Sequence, residues 1–296
     1  MLPKISVIIP TCNRPELLKK AIFSVLRQSY QDFEIIVIDD GDKLFSKEVV
    51  NTFNDNRINY IKQAIRQGGA AARNTGIKAA GGKFIAFLDD DDEWLPYKLE
   101  KQMALFEFTE DNIGFCFSTV IISNGKREYL SRLPIGENGN FFEGALDHFS
   151  GFPTPTLMIK KYVLDDVGYF DENFPSHQEI ELILRISKKY RGLAVQEPLA
   201  RLLISDHEHI GGQPEKRIIG REMLLRKYFE DFKTKPEILA RWYFNLALLY
   251  RDDCKFFEAR RVFKSAFKVK FRPLYFFHYL SMIFNGKFYR ILKHKP

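Results

Sequence analysis

The chain has 296 residues, a net charge of +7, 45% hydrophobic residues and 15% aromatic residues, 28 of them Phe. This is enough apolar material for one large domain or two ordinary ones, and it excludes disordered, collagen-like and low-complexity classes. Three separated cysteines, Cys12, Cys116 and Cys254, fit neither a disulfide scaffold nor a zinc site and favour a reducing compartment.

The elements read in chain order. Ile5–Pro10 is a short apolar run closed by Pro, which predicts a strand. Residues 15–28 place Leu17, Leu18, Ala21, Ile22, Val25 and Leu26 at helical spacing, with Pro15 in the first turn. Strands are expected at 34–39, 58–61 and 83–88, and helices at 46–54 and 69–80, the latter ended by Gly81-Gly82. Short apolar strands separated by helices predict a parallel sheet covered on both faces, with ligands beyond the carboxyl ends of its strands. Farther on, 113–118 and 120–123 read as strands, and 124–155 as a long functional loop rich in Gly, Asn and Pro. A short strand at 156–159 and helices at 160–167 and 180–190 follow. From 215 the pattern is helical, over 215–231, 236–251, 255–269 and 273–285. The N-terminal apolar run is too short for a signal peptide, and no run reaches the length that spans a bilayer.

Charge is divided unevenly. Residues 1–212 hold 25 Lys+Arg against 30 Asp+Glu, and residues 213–296 hold 20 against 8. The change coincides with the breakers Gly211-Gly212-Gln213-Pro214, which places a domain boundary between 212 and 213. In the acidic part, Asp89-Asp90-Asp91-Asp92 follows the strand KFIAFL and precedes Glu93-Trp94-Leu95-Pro96. Four adjacent carboxylates repel one another, so they stand either in water or around a cation. The buried strand before them and the Trp and Pro after them favour an ordered turn. Hard oxygen ligands of this kind suit Mg²⁺ or Mn²⁺ bridging a diphosphate.

Four strings in order, SVIIPTCNR (6–14), FEIIVIDDG (33–41), GGAAARNTGIKAAGGKFIAFLDDDDEW (68–94) and GYFDENFPSHQEIELILRI (168–186), resemble family 2 glycosyltransferases. The resemblance covers about residues 3–210. It implies a GT-A fold, an α/β arrangement with a Rossmann-like mixed sheet flanked by helices, here followed by a small α-helical region at 213–296. It also implies inverting transfer of a sugar from a nucleotide diphosphate donor, with a leaning to UDP, to a hydroxyl of a glycan or lipid-linked glycan. Mn²⁺ or Mg²⁺ is the implied cofactor, and the implied location is cytoplasmic.

The resemblance also implies residue roles. Pro10, Thr11, Asn13 and Arg14 follow the first strand under the nucleotide, and Asp40 accepts from the base imide or the ribose. Arg73 lies over the nucleotide or its phosphates, where a fixed cationic fork is useful. Asp89 and Asp90 belong to the donor site, Asp91 is the metal ligand, and Asp92 orients the loop. Asn74 supports the loop. Glu179 stands where the family has Asp as general base; it is longer by one C–C bond, about 1.5 Å. The bland alternative is a carboxylate satisfying a helix N-terminus. His207, beside Asp206 and His209, is the candidate for contact with metal or diphosphate. Arg185 is expected to pack structurally. Processive relatives carry QxxRW. Here Arg241-Trp242 is preceded by Ile238, so transfer of one or a few sugars is expected.

Residues 255–296 contain 11 Lys+Arg, one acid and the aromatic block 275–279. A peripheral membrane surface is the partner this composition suits, with a simple helical appendage as the alternative and nucleic acid least favoured. The alternative function classes are a sugar nucleotidyltransferase and a non-catalytic nucleotide-sugar-binding module.

Overall fold

In the computed structural model, residues 3–107, 112–134, 136–147, 152–204 and 213–282 are described. They divide into two units by contact density. One comprises Met1–Glu172 and Gln178–Asp206, the other Asn173–His177 and His207–Pro296.

The first unit is built on one sheet. Its first strands are β1 (Ile5–Thr11), β2 (Phe33–Asp39), β3 (Ile58–Lys62) and β4 (Phe84–Phe87), with α1 (Pro15–Leu26), α2 (Phe45–Thr52) and α3 (Gly69–Ala79) between them. The near-continuous apolar sequences of β1, β2 and β4 belong to strands buried on both faces, whereas the edge strand β3 is partly exposed. They pair in parallel in the order β3-β2-β1-β4. The close fit of α3 on β1 depends on Gly76. A Cβ there would stand 2.5 Å from Ile8 Cγ2.

Beyond β4 the sheet is mixed. It continues through β8 (Met158–Lys160), β6 (Ile113–Ser123) and β9 (Arg191–Leu203) to β5 (Asp92–Trp94), and β7 (Glu128–Leu130) pairs with β6. β8 runs antiparallel to both β4 and β6, β9 runs parallel to β6, and β5 closes antiparallel on β9. The expected parallel sheet therefore holds for the first four strands, and beyond them only the β6–β9 pair is parallel among the described residues. The two strands expected at 113–118 and 120–123 are one strand.

The stretch 124–155 is not one long loop. It contains β7, α5 (Phe142–Asp147) and a 3₁₀ turn at Thr154–Thr156. Its Gly, Asn and Pro content hid two anchors, Phe141 and Phe152. These pack against Phe117 with ring centroids 4.9 and 4.7 Å away. α4 (Lys98–Phe106), α6 (Lys161–Val167) and α7 (Gln178–Ser187) complete the unit.

In the second unit, α8 (Pro214–Lys227), α9 (Phe229–Lys233), α10 (Pro236–Asp252), α11 (Phe256–Val269) and α12 (Pro273–Ser281) follow one another. Pro214, Pro236 and Pro273 open three of them, where a missing N–H costs nothing. The helix expected over 215–231 is broken at Tyr228. Trp242 and Phe232 are fully buried, with ring centroids 5.1 Å apart. Segment 173–177 groups with this unit: Ser176 Oγ donates to the Lys216 carbonyl at 2.9 Å, and a Cβ on Gly220 would meet Ser176 Oγ at 2.3 Å. No helix among the described residues is long and apolar enough to cross a membrane.

Candidate active site

The unusual residues gather at the carboxyl ends of β1, β2 and β4. The acidic run leaves β4 and ends as β5, whose Asp92 pairs with Leu202 of β9. The turn is ordered by side chains far away in sequence. Trp94 is 2% exposed and its indole N–H donates to the Pro155 carbonyl at 2.8 Å, while Ser24 Oγ accepts from the Trp94 amide at 3.2 Å.

Every Asp of the run has a partner. Asp89 is ion-paired with Arg73. Asp90 accepts from Thr11 Oγ1 at 2.8 Å and from Arg14 at 3.1 Å. Asp91 also accepts from Arg14, at 3.0 Å. Asp92 accepts from the Leu203 amide at 3.3 Å. One Arg14 guanidinium is thus shared by two carboxylates of the run. Burial lifts the pKa of Asp90 to about 7, against the opposing pull of Arg14 and Thr11. Burial and the charge of Asp89 also raise Asp91, and burial with its acidic neighbours raises Asp92. A shallow pocket runs along this turn, lined by Asp90 to Glu93 together with Leu17, Lys20 and Phe23 of α1 and Leu203 of β9.

Asn13 and Asp40 lie beside the same strand ends. Asn13 has a left-handed φ of 57°, donates to Asp42 at 2.6 Å and accepts from the Lys43 amide at 3.2 Å. Gly41 is required there, because a Cβ would stand 2.4 Å from Asn13 Oδ1. Pro10 sits in β1 opposite Ile38. Asp40 is buried and clasps the loop that leads into α3. It accepts from Gln63 Nε2 at 2.8 Å and from the amides of Gln67 and Gly68 at 2.7 and 2.8 Å.

Arg73 links two carboxylate-bearing regions. It is 8% exposed, paired with Asp89, and donates to Gln178 Oε1 at 3.3 Å. Its Nε–H has no acceptor among the described residues. Asn74 holds the approach to α7, donating to the Phe170 carbonyl at 2.9 Å and to Glu172 at 2.7 Å. Glu179 follows Gln178 in the first turn of α7. Its half-buried carboxyl has a raised pKa: the surrounding protein desolvates it, Arg73 works against that, and Asp89 adds to it. Glu181 faces the interior and pairs with Arg185 at 2.8 Å, and Arg185 also donates to the carbonyls of Val167, Gly168 and Tyr169.

The site residues therefore form two networks, Thr11–Arg14–Asp90–Asp91 and Asp89–Arg73–Gln178, with Glu179 beside the second. Gln178 was not singled out in the sequence. Its only signal is its place before Glu179. Asp39 was missed too; it is fully buried and accepts from Tyr60 at 2.6 Å. His207, with Asp206 and His209, lies outside the described residues.

Among the described residues no three His, Cys, Asp or Glu side chains form a ready cage. Mg²⁺-type sites, however, use one or two carboxylates plus substrate phosphates rather than a protein cage. Asp89 and Asp91 supply hard, mutually repelling oxygens, burial raises the pKa of Asp91, and a divalent cation relieves that repulsion. The residues fit such an ion.

A mixed sheet of this order, with acidic side chains at the end of its fourth strand, is the GT-A arrangement. Residues 6–167 match the Glycosyl transferase family 2 profile. The chain is 28% identical over 272 residues to the amylovoran biosynthesis glycosyltransferase AmsB of Erwinia amylovora, an alignment that covers 88% of this chain and 89% of that one. It spans only 36% and 35% of two Rickettsia glycosyltransferases that it matches at 35% identity. Over 120 residues it is 38% identical to UDP-Glc:alpha-D-GlcNAc-diphosphoundecaprenol beta-1,3-glucosyltransferase WfgD of Escherichia coli, covering 40% of this chain and 47% of that one. In fold it resembles the mannosyltransferase PcManGT of Pyrobaculum calidifontis, solved with GDP-Man and Mn²⁺, at a TM-score of 0.61 and 14% identity over 96% of this chain and 85% of that one. The chain belongs to glycosyl transferase family 2. It is a glycosyltransferase, and the nucleotidyltransferase reading falls.

Proposed function

We propose that the chain moves a sugar, with inversion, from a UDP-linked donor to a hydroxyl of a lipid-linked glycan at a membrane surface. The observation that carries this is Arg73. It is buried between Asp89 and Gln178 and so joins the acidic turn to the turn of α7 that bears Glu179. A fixed guanidinium at that place is assigned to the oxygens of the donor diphosphate. Pro10, Thr11, Asn13, Arg14 and Asp40 are assigned to the nucleoside side of the donor, and Asp90 to holding the turn.

Glu179 takes the proton of the acceptor hydroxyl. That oxygen forms its bond to the anomeric carbon as the bond from that carbon to the diphosphate oxygen breaks. Arg73 holds charge that develops on the departing diphosphate. When bound, a Mn²⁺ or Mg²⁺ ion held by Asp91 and Asp89 would neutralise that diphosphate further. A phosphate acceptor would need no base, so a base at 179 favours a hydroxyl. The WfgD relative's UDP-glucose donor and diphosphoundecaprenol-linked acceptor support the donor and acceptor classes, and the GDP-Man and Mn²⁺ complex of PcManGT supports the metal.

Glu179→Gln tests the reading. Transfer should fall by about 10²–10⁴-fold while donor affinity, read by calorimetry, stays within a factor of a few. Transfer at the wild-type rate removes Glu179 as base.

A further inference from the structure

Helix α12 has an outward face without charge. Residues 273–281 contain no Asp, Glu, Lys or Arg. The inward side of the helix is filled: Tyr275 is buried and stacks on Phe244 with centroids 4.5 Å apart, and His278 stacks on Phe263 at 5.3 Å. On the opposite side Leu274 is 55% exposed, Phe276 39%, Phe277 67% and Leu280 40%. At 3.6 residues per turn these four cover about half of the helix circumference. Phe271, 65% exposed, precedes them and lies against Phe276 with centroids 6.3 Å apart. A helix that meets water carries polar residues on this side. Single exposed apolar residues need no explanation, but a contiguous patch of five does.

The charge around the patch is predominantly positive. Residues 255–282 hold seven Lys+Arg and the single acid Glu258. Arg260, Lys264 and Phe267 form one stripe of α11. That stripe borders α12: the Arg260 guanidinium lies 5.7 Å from the Tyr279 ring, and Phe267 lies 5.6 Å from Phe276. Lys270 and Arg272, beside the patch, share one carboxylate, Glu237, at 2.7 and 2.8 Å. Apolar side chains edged by cations match the boundary of an anionic bilayer, where rings enter the acyl region and cations meet headgroups. A second copy of the chain would instead bring like charges together.

We propose that Phe271 and the outward face of α12, edged by Arg260 and Lys264 of α11, form a docking face for membranes that contain anionic lipid. This sharpens the membrane part of the reading above. It uses no residue of the donor site, so either can fail without the other.

The test is co-sedimentation of the full chain with phosphatidylcholine vesicles, with and without phosphatidylglycerol. The wild type should pellet with the anionic vesicles only, and less so at high salt. Leu274→Ser and Phe277→Ser remove exposed side chains, so circular dichroism and melting should be unchanged. Each should weaken partitioning by about tenfold, and Lys264→Ala should weaken it on anionic vesicles. Donor hydrolysis in solution should stay at the wild-type rate in all three. Failure of the wild type to bind anionic vesicles, or undiminished binding by the Leu274→Ser/Phe277→Ser double variant, overturns the proposal. So does a wild-type dimer in sedimentation equilibrium that the double variant dissociates, which would make the face a self-association surface.

Discussion

Asp89 to Asp92 stand side by side in the chain, yet their partners come from several elements: Arg73 for Asp89, Thr11 and Arg14 for Asp90, Arg14 again for Asp91, and the Leu203 amide for Asp92. That an acidic turn closes a buried strand was legible from KFIAFLDDDDEW. Its partners were not, since Thr11 lies 79 residues from Asp90 and Gln178 lies 105 from Arg73. Glu179 was legible through its motif, and its environment adds a pH dependence. Desolvation raises its pKa, and only the ionised form can take a proton. Activity should therefore decline, as pH falls, at values above the ordinary glutamate range. That limb of the kcat/KM profile should vanish in Glu179→Gln.

Lys98 was invisible in the sequence. It is wholly buried, bonded to Gln102 at 2.5 Å and 4.0 Å above the Trp94 ring, and burial lowers its pKa to about 7. Between that value and the ordinary lysine pKa the unfolded chain holds a proton that the folded chain lacks. Stability should therefore rise from pH 7 to 9, by at most about 1.4 kcal/mol per pH unit. Urea titrations should show this slope in the wild type and its loss in Lys98→Met.

At the scale of elements, periodicity located β1 to β4 and the helices between them within a few residues. Of those strands, β1, β2 and β4 are buried on both faces and read as apolar runs. It failed where tertiary contact decides the outcome. β5 is three residues long and exists because β9 pairs with it, and α5 sits in a segment whose composition reads as loop. The packing of α3 on β1 makes a sharp prediction at Gly76. Replacing Gly by Ala inside a helix gains roughly 0.5–1 kcal/mol from propensity. Against this, the new Cβ meets Ile8 Cγ2 at 2.5 Å, and overpacking costs about 1–3 kcal/mol. The clash wins, so Gly76→Ala should lower the urea midpoint. Ile8→Ala in the same chain should cost less than it does alone, because the new methyl fills part of the space it opens.

For the molecule as a whole, the +7 charge conceals an acidic N-terminal part and a basic C-terminal part, a division that sequence counting showed directly. What counting did not show is where the apolar residues of the basic part point. Burial of Tyr275 and exposure of Phe277 are set by the packing of α10 to α12. Donor binding should register as global stabilisation. A UDP-sugar with Mn²⁺ at a hundred times its Kd adds about 2.7 kcal/mol, visible as an upward shift in the melting temperature. In Asp91→Ala the increment that depends on Mn²⁺ should disappear. If it persists, the ion is held elsewhere.

The pairing of β5 with β9 also sets an order of events during synthesis. Asp92 and Trp94 are in place only when Leu202 and Ala200 lie beside them. A nascent chain can assemble β1 to β4 from local crossovers, because those partners emerge from the ribosome within about a hundred residues of one another. Asp89, Asp90 and Asp91 of the turn that follows β4 meet partners already made, Arg73, Thr11 and Arg14. Asp92 instead waits for the Leu203 amide, 111 residues further on. The acidic turn is therefore fixed from its near end first, and its far end closes last.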